Sequence, residues 1–205
     1  MSNLVFNSVK KLLSLFPPTW PFKTYNILLK ISFLKRLTSL VVRWLTPDSV
    51  IIPEGKIIFD KDDPVMSGAI SLGEYDPGTV ALFRDCLKEG MTVVDIGANL
   101  GYFTVIAAGK VGPSGKVFSY EPDPRNFDLL KENISANGFG NVTAFPVALS
   151  DRAGKRKLFF GDNQCTHSFG DKIGHGRFES VTTDTLDDSL KALGSPKIDV
   201  IKMDI

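Results

Sequence analysis

A doubly wound, mostly parallel α/β sheet is the fold class this sequence predicts, and three observations predict it. Short, nearly all-apolar runs of the kind buried on both faces of a parallel sheet recur at Thr92–Ile96, Lys116–Tyr120, Val142–Val147 and Ile198–Met203. Stretches with helical signals alternate with them, as crossover connections require. A glycine turn, Gly97 to Gly101, follows the first run directly.

Composition is consistent with one soluble domain plus an appendage. The 205 residues are 43% hydrophobic and 23% charged, enough to bury a core. Twelve prolines and 18 glycines without a biased tract exclude a fibrous or largely disordered chain. No charge-free run supplies the roughly 18 predominantly apolar residues of a membrane-spanning helix. Cys86 and Cys165 form no disulfide framework, and the first residues lack the order and cleavage site of a secretory signal, so a cytoplasmic location is expected. The net charge of +1 hides a split. Residues 1–47 carry seven basic side chains and no acid, leaving the remainder at −6.

The elements follow in order. The head, 1–47, reads as helical on both sides of Pro17-Pro18-Thr19-Trp20-Pro21. Between about 25 and 45, Lys35, Arg36 and Arg43 share one side of a helix while Ile27, Ile31, Leu34, Leu37, Val41 and Trp44 cover the other. Such a helix either packs on its own protein or lies in a membrane interface, and the pattern leaves both open. Residues 48–76 read as a β-rich lead-in with a hairpin through Pro53-Glu54-Gly55. From 77 to 205 the chain reads as one ligand-binding domain. Pro77 opens a helix to about Leu87, on which Cys86 is expected as a small core residue. A helix follows the glycine turn from Tyr102. Asp123 and Pro124 cap and open another, reaching Asn137. Residues 155–183 predict a hairpin insertion with a glycine-rich loop, and 185–193 a last helix. The sequence ends at Asp204-Ile205 on the fourth strand, which leads us to expect a chain truncated there, with an uncovered apolar edge.

The residues that carry chemistry sit at strand ends, where open α/β sheets bind ligands. In Val94-Asp95-Ile96-Gly97-Ala98-Asn99-Leu100-Gly101, the two outer glycines permit a sharp turn and close approach of a ligand. Free N–H groups at the start of the next helix are expected to face a carboxylate or phosphate. Glu121, 24 residues beyond Gly97, stands where an acid accepts both hydroxyls of a ribose. A dinucleotide site wants glycine at the middle position of G-x-G-x-x-G, and here it is Asn99. Asp95 would repel a pyrophosphate yet attract an ammonium. S-adenosylmethionine has an ammonium, a carboxylate, a ribose and no phosphate, so it matches better than NAD.

With Gly73-Glu74-Tyr75-Asp76-Pro77, Tyr120-Glu121-Pro122-Asp123-Pro124-Arg125-Asn126, Ala148-Leu149-Ser150-Asp151, Thr183-Asp184-Thr185-Leu186-Asp187 and Ile201-Lys202-Met203-Asp204-Ile205 added, the chain resembles the FkbM-type methyltransferases of the Rossmann-like class I enzymes. The resemblance runs from about residue 65 to the end. It implies that Asp95, Gly97, Ala98, Asn99 and Gly101 hold the methionine arm, that Glu121 binds the ribose and that Pro122 lies against the adenine. It makes Asp204 the candidate catalytic acid beside the transferred methyl. Many relatives place an Asp at the end of strand three, where this chain has Ala148, so groups near Leu149 and Ser150 would meet the adenine amine instead. The implied activity is O-methylation of a sugar, glycolipid or secondary metabolite, with a small-molecule or glycan acceptor and no nucleic acid. The alternatives are a cofactor-binding but inactive module and, more distantly, an NAD-dependent oxidoreductase. The basic head adds peripheral contact with an anionic membrane as an expectation.

Cys165, His167, Asp171 and His175 match no compact metal spacing, and no metal is expected. Lys155-Arg156-Lys157 is too short a run for a nucleic-acid footprint.

Overall fold

Fourteen elements are defined in the computed structural model, which describes residues 43, 46–60, 63–159 and 178–204. They are β1 (Ser49–Ile52), β2 (Gly55–Ile58), α1 (Pro64–Leu72), α2 (Pro77–Cys86), β3 (Thr92–Ile96), α3 (Tyr102–Val111), β4 (Lys116–Tyr120) and α4 (Pro124–Ala136). Then come β5 (Val142–Phe145), β6 (Ala148–Leu149), β7 (Gly154–Phe159), β8 (Phe178–Asp184), α5 (Leu186–Ala192) and β9 (Val200–Met203). Contacts divide the chain into a smaller unit, Met1–Val50 with Phe59–Pro77, and a larger one, Ile51–Ile58 with Gly78–Ile205.

In the smaller unit α1 stands where the lead-in was expected to be β-rich. Its stop and start signals are local: Asp63 accepts from the Met66 N–H, and Gly73 closes the end at φ +79°. Asp63 is itself buried. The helix was missed because Met66, Ala69 and Ile70 are buried together with Ser67 and Ser71, and those serines blur the apolar pattern. Ser67 instead donates to the Asp60 carbonyl and Ser71 to that of Ser67.

The larger unit is built on the parallel sheet β5-β4-β3-β9. In order of appearance its strands stand third, second, first, fourth, the doubly wound arrangement that the alternation of strands and helices implied. Strand β3 is central because it is apolar on both faces. Val94 and Ile96 join Phe118 and Tyr120 on one side, where Leu186, Leu190 and Leu193 from α5 and just beyond pack on them. Val93 and Val117, both fully buried, take the other side, on which α3 packs. Such burial stabilises each large side chain by about 1.5–3 kcal/mol. Helix α3 is apolar almost all round because it lies between the sheet and β2. The hairpin β1-β2 is fixed to α4 by Asn133 and Asn137, whose amides serve Ile58 and Lys56 on both backbone sides.

A second sheet, β6-β8-β7, corrects the expected third strand. Strand β5 stops at Phe145, and Ala148 belongs to β6, paired in parallel with Thr183 and buried against Leu158 and Val181. Ala148 therefore lies beyond the end of β5 and outside the β5-β4-β3-β9 sheet. The expected hairpin is present as β7 antiparallel to β8, while the loop between them lies outside the described residues. Cys86 is exposed at the end of α2 rather than in the core; Val80 and Phe83 are the buried residues of that helix. The amphipathic head falls almost wholly outside the described residues. Among those described, no helix is long and apolar enough to cross a membrane. Ile201 and Met203 on the edge strand β9 are 47% and 58% exposed.

Candidate functional site

The turn from β3 into α3 forms because three of its residues adopt positive φ: Gly97 at +73°, Asn99 at +52° and Gly101 at +93°. Gly101 has a second reason to lack a side chain, since a Cβ there would stand 2.7 Å from Leu130 Cδ1 on α4. The turn is tied down by its own amides. Gly97 and Ala98 both donate to the Tyr120 carbonyl at the tip of β4, and Gly101 donates to Ala98. Leu100 donates to the Asn99 side chain, and Asn99 donates to Glu121 Oε2 at 2.7 Å. All five amides from Gly97 to Gly101 are thus spent within the chain. This leaves the turn itself no donor for a pyrophosphate, while the first helical amides, from Tyr102 on, have no side-chain cap.

Glu121 stands one residue beyond β4 and is 5% exposed. Its Oε1 accepts from the Asp123 N–H at 2.9 Å, and the Asn126 side chain also donates to it. Burial pushes its carboxyl up to about 7, against the backbone donors of Asp123 and Asn99, which lower it. A carboxylate offers about four lone-pair sites, so with these three donors in place acceptor capacity remains for a further one. Asn126 was not singled out from the sequence. Its signal was its place in the first turn of α4, which Asp123 caps, five residues after Glu121. It is 2% exposed, and its Oδ1 has no partner. Pro122 is half-buried beside Glu121. Leu149 packs against the Val94, Ile96, Phe118 and Tyr120 cluster, and Ser150 is held by Asp184, Asp151 and Arg156.

Beneath the turn a polar row crosses the sheet. Asp95 is register partner to Ser119 on β4 and to Lys202 on β9, so the three side chains lie on one face. Asp95 is fully buried, and its Oδ2 accepts from Thr104 of α3 at 2.7 Å, which in turn accepts from Ser119. Its Oδ1 has no hydrogen-bond partner and lies 3.4 Å from Lys202 Nζ. Lys202 donates to the Gly97 carbonyl at 3.2 Å, lies 3.8 Å from Asp204 Oδ2 and sits over the Phe103 ring. Lys202 was quoted in the sequence motif but given no role. Period two along β9 places it on the Asp95 face.

The site residues expected from the sequence therefore separate into three groups. Gly97, Ala98, Asn99, Gly101 and Glu121 meet at the joined tips of β3 and β4. Asp95 and Asp204 are linked through Lys202, with Asp204 anchored by its N–H on the Ile96 carbonyl and its side chain 69% exposed. Leu149 and Ser150 belong to the second sheet, where β6 joins it. Cys165, His167, Asp171 and His175 lie outside the described residues; among those described, no group of three or more His, Cys, Asp or Glu could hold a metal ion.

The family model for the methyltransferase FkbM domain matches residues 95–205. The chain is 41% identical over 99 residues to a protein-L-isoaspartate O-methyltransferase of Methanococcoides burtonii, covering 47% of this chain and 49% of that protein. It is also 41% identical over 68 residues to protein-L-isoaspartate O-methyltransferase 1 of Archaeoglobus fulgidus, covering 32% of each. Among solved structures, a protein-L-isoaspartate O-methyltransferase aligns at 32% identity and a TM-score of 0.32, over 34% of this chain and 22% of its own. The chain spans half or less of the length of these relatives.

Proposed function

The chain belongs to the FkbM methyltransferase family, and from that membership we propose that it works as an S-adenosylmethionine-dependent methyltransferase. The observation that carries the reading is the buried Glu121 carboxylate, joined to the glycine turn through Asn99 and retaining acceptor capacity for a ribose hydroxyl. The residues present fit that nucleoside. Asp95 Oδ1 and Asn126 Oδ1 are buried acceptors without partners in this structure, which a ligand's donors would satisfy. The spent amides of the turn argue against NAD.

In this reading Glu121 and Pro122 hold the ribose and adenine, with Leu149 and Ser150 on the adenine side. Asp95, Gly97, Ala98, Asn99 and Gly101 form the floor and wall for the amino-acid arm. When bound, the cofactor supplies a methyl group already activated by its sulfonium. The chain's contribution is alignment, which can lower a barrier by about 7–11 kcal/mol when both partners are held at near-attack distance. Asp204, exposed beyond β9, is the candidate to take the acceptor's proton, a role worth about 10²- to 10⁴-fold.

The acceptor we propose is a hydroxyl on a sugar, glycolipid or secondary metabolite. A second reading, a carboxyl group on a protein, is favoured by the identity to protein-L-isoaspartate O-methyltransferases. Methyl-labelled cofactor offered with hydroxylated acceptors and with isoaspartyl peptides separates the two. Binding of S-adenosylhomocysteine without label transfer to either panel favours the inactive module. The basic head, with no acid in residues 1–47, supports peripheral contact with an anionic membrane. Vesicle co-sedimentation at low and high salt, with and without the head, checks that contact.

A further inference from the structure

We propose that Lys202 reads the carboxylate of the cofactor's amino-acid arm while the neighbouring Asp95 answers its ammonium. The inference rests on the cofactor assigned above. The Lys202 side chain is only 9% exposed, so its ammonium has lost most of its water. An ammonium carries three donors. Among the described residues one is spent, on the Gly97 carbonyl at 3.2 Å. Asp95 Oδ1 at 3.4 Å and Asp204 Oδ2 at 3.8 Å are near enough to balance the charge but complete no hydrogen bond to it. Phe103 closes the other side with its ring centroid 4.8 Å away.

Asp95 Oδ1 is the mirror case, a fully buried anionic oxygen with no donor. A buried cation with donors to spare thus sits beside a buried anion with an acceptor to spare, at the carboxyl ends of β3 and β9. Groups of this kind are costly to leave unsatisfied. An α-amino acid carries both complementary charges on one carbon. Seated here, a zwitterion satisfies both groups and leaves the net charge of the site unchanged. A single charge would leave one of the two groups unanswered.

The test compares S-adenosylhomocysteine with its decarboxylated analogue, which keeps the nucleoside, thioether and amine, by calorimetry on the full chain. Wild-type protein is expected to prefer the carboxylate-bearing ligand by about 10- to 100-fold, the range of a charge-assisted hydrogen bond. Lys202→Met is expected to abolish the preference and Lys202→Arg to retain most of it. If Lys202→Met does not fold, Lys202→Gln is read in its place. A wild type indifferent to the carboxylate overturns the inference. So does an uncharged variant that keeps the full preference, because Lys202 would then serve structure alone. Failure of the wild type to bind either ligand would instead overturn the cofactor reading, and this inference with it.

Discussion

The Asn99 amide donates to Glu121 Oε2 at 2.7 Å, joining the turn after β3 to the tip of β4 across 22 residues of sequence. One carboxylate thereby shapes the turn and, in the proposed site, receives the ribose. Both tasks require it to accept hydrogen bonds, and its burial makes its charge sensitive to pH near neutrality.

Nucleoside binding should release protons. With its carboxyl pushed up to about 7, Glu121 is roughly half protonated at pH 7, and a ribose hydroxyl donating to it favours the charged form. Calorimetry in buffers of different ionisation enthalpy should show release of up to about half a proton per site at pH 7, falling towards none at pH 9.

Stability should respond to the same group. Its folded pKa lies above the ordinary value of 4.5, so its contribution is full below pH 4.5 and is lost as pH rises to about 7. The predicted loss is about 3 kcal/mol across that window and nothing further above it. Urea denaturation at stepped pH should show this slope in the wild type and not in Glu121→Gln.

Gly101→Ala should destabilise the larger unit by about 1–3 kcal/mol, since φ of +93° strains any side chain and the new Cβ meets Leu130. Trimming the neighbour in Gly101→Ala/Leu130→Ala should not restore the wild-type melting temperature, because the backbone strain persists.

Asn133→Ala should cost about 2–4 kcal/mol. Asn133 is fully buried and serves the Ile58 N–H, the Ile58 carbonyl and the Leu100 carbonyl, all left without that partner by the substitution. Because Leu100 belongs to the glycine turn, nucleoside affinity should fall along with the melting temperature.

The sheet was legible because β3 and β4 are short, buried on both faces and punctuated by glycine, so their bounds fell where the residues changed character. Asp123 and Pro124 announced their helix through capping chemistry. Helix α1 was hidden by its buried serines, and Ala148 by an apolar run that continues past the end of β5 into another sheet. Lys202 and Asn126 were hidden for a different reason. Their partners, Asp95 and Glu121, come from other elements, and only strand register or helix placement brings them together.

The most direct test is calorimetric titration of S-adenosylhomocysteine and NAD into the wild type and Glu121→Ala. We predict that the wild type binds the former and not the latter, and that the variant loses at least about 10-fold in affinity with its carboxylate–hydroxyl hydrogen bond. Binding of NAD alone, or a Glu121→Ala variant that holds the nucleoside as tightly as the wild type, would contradict the account.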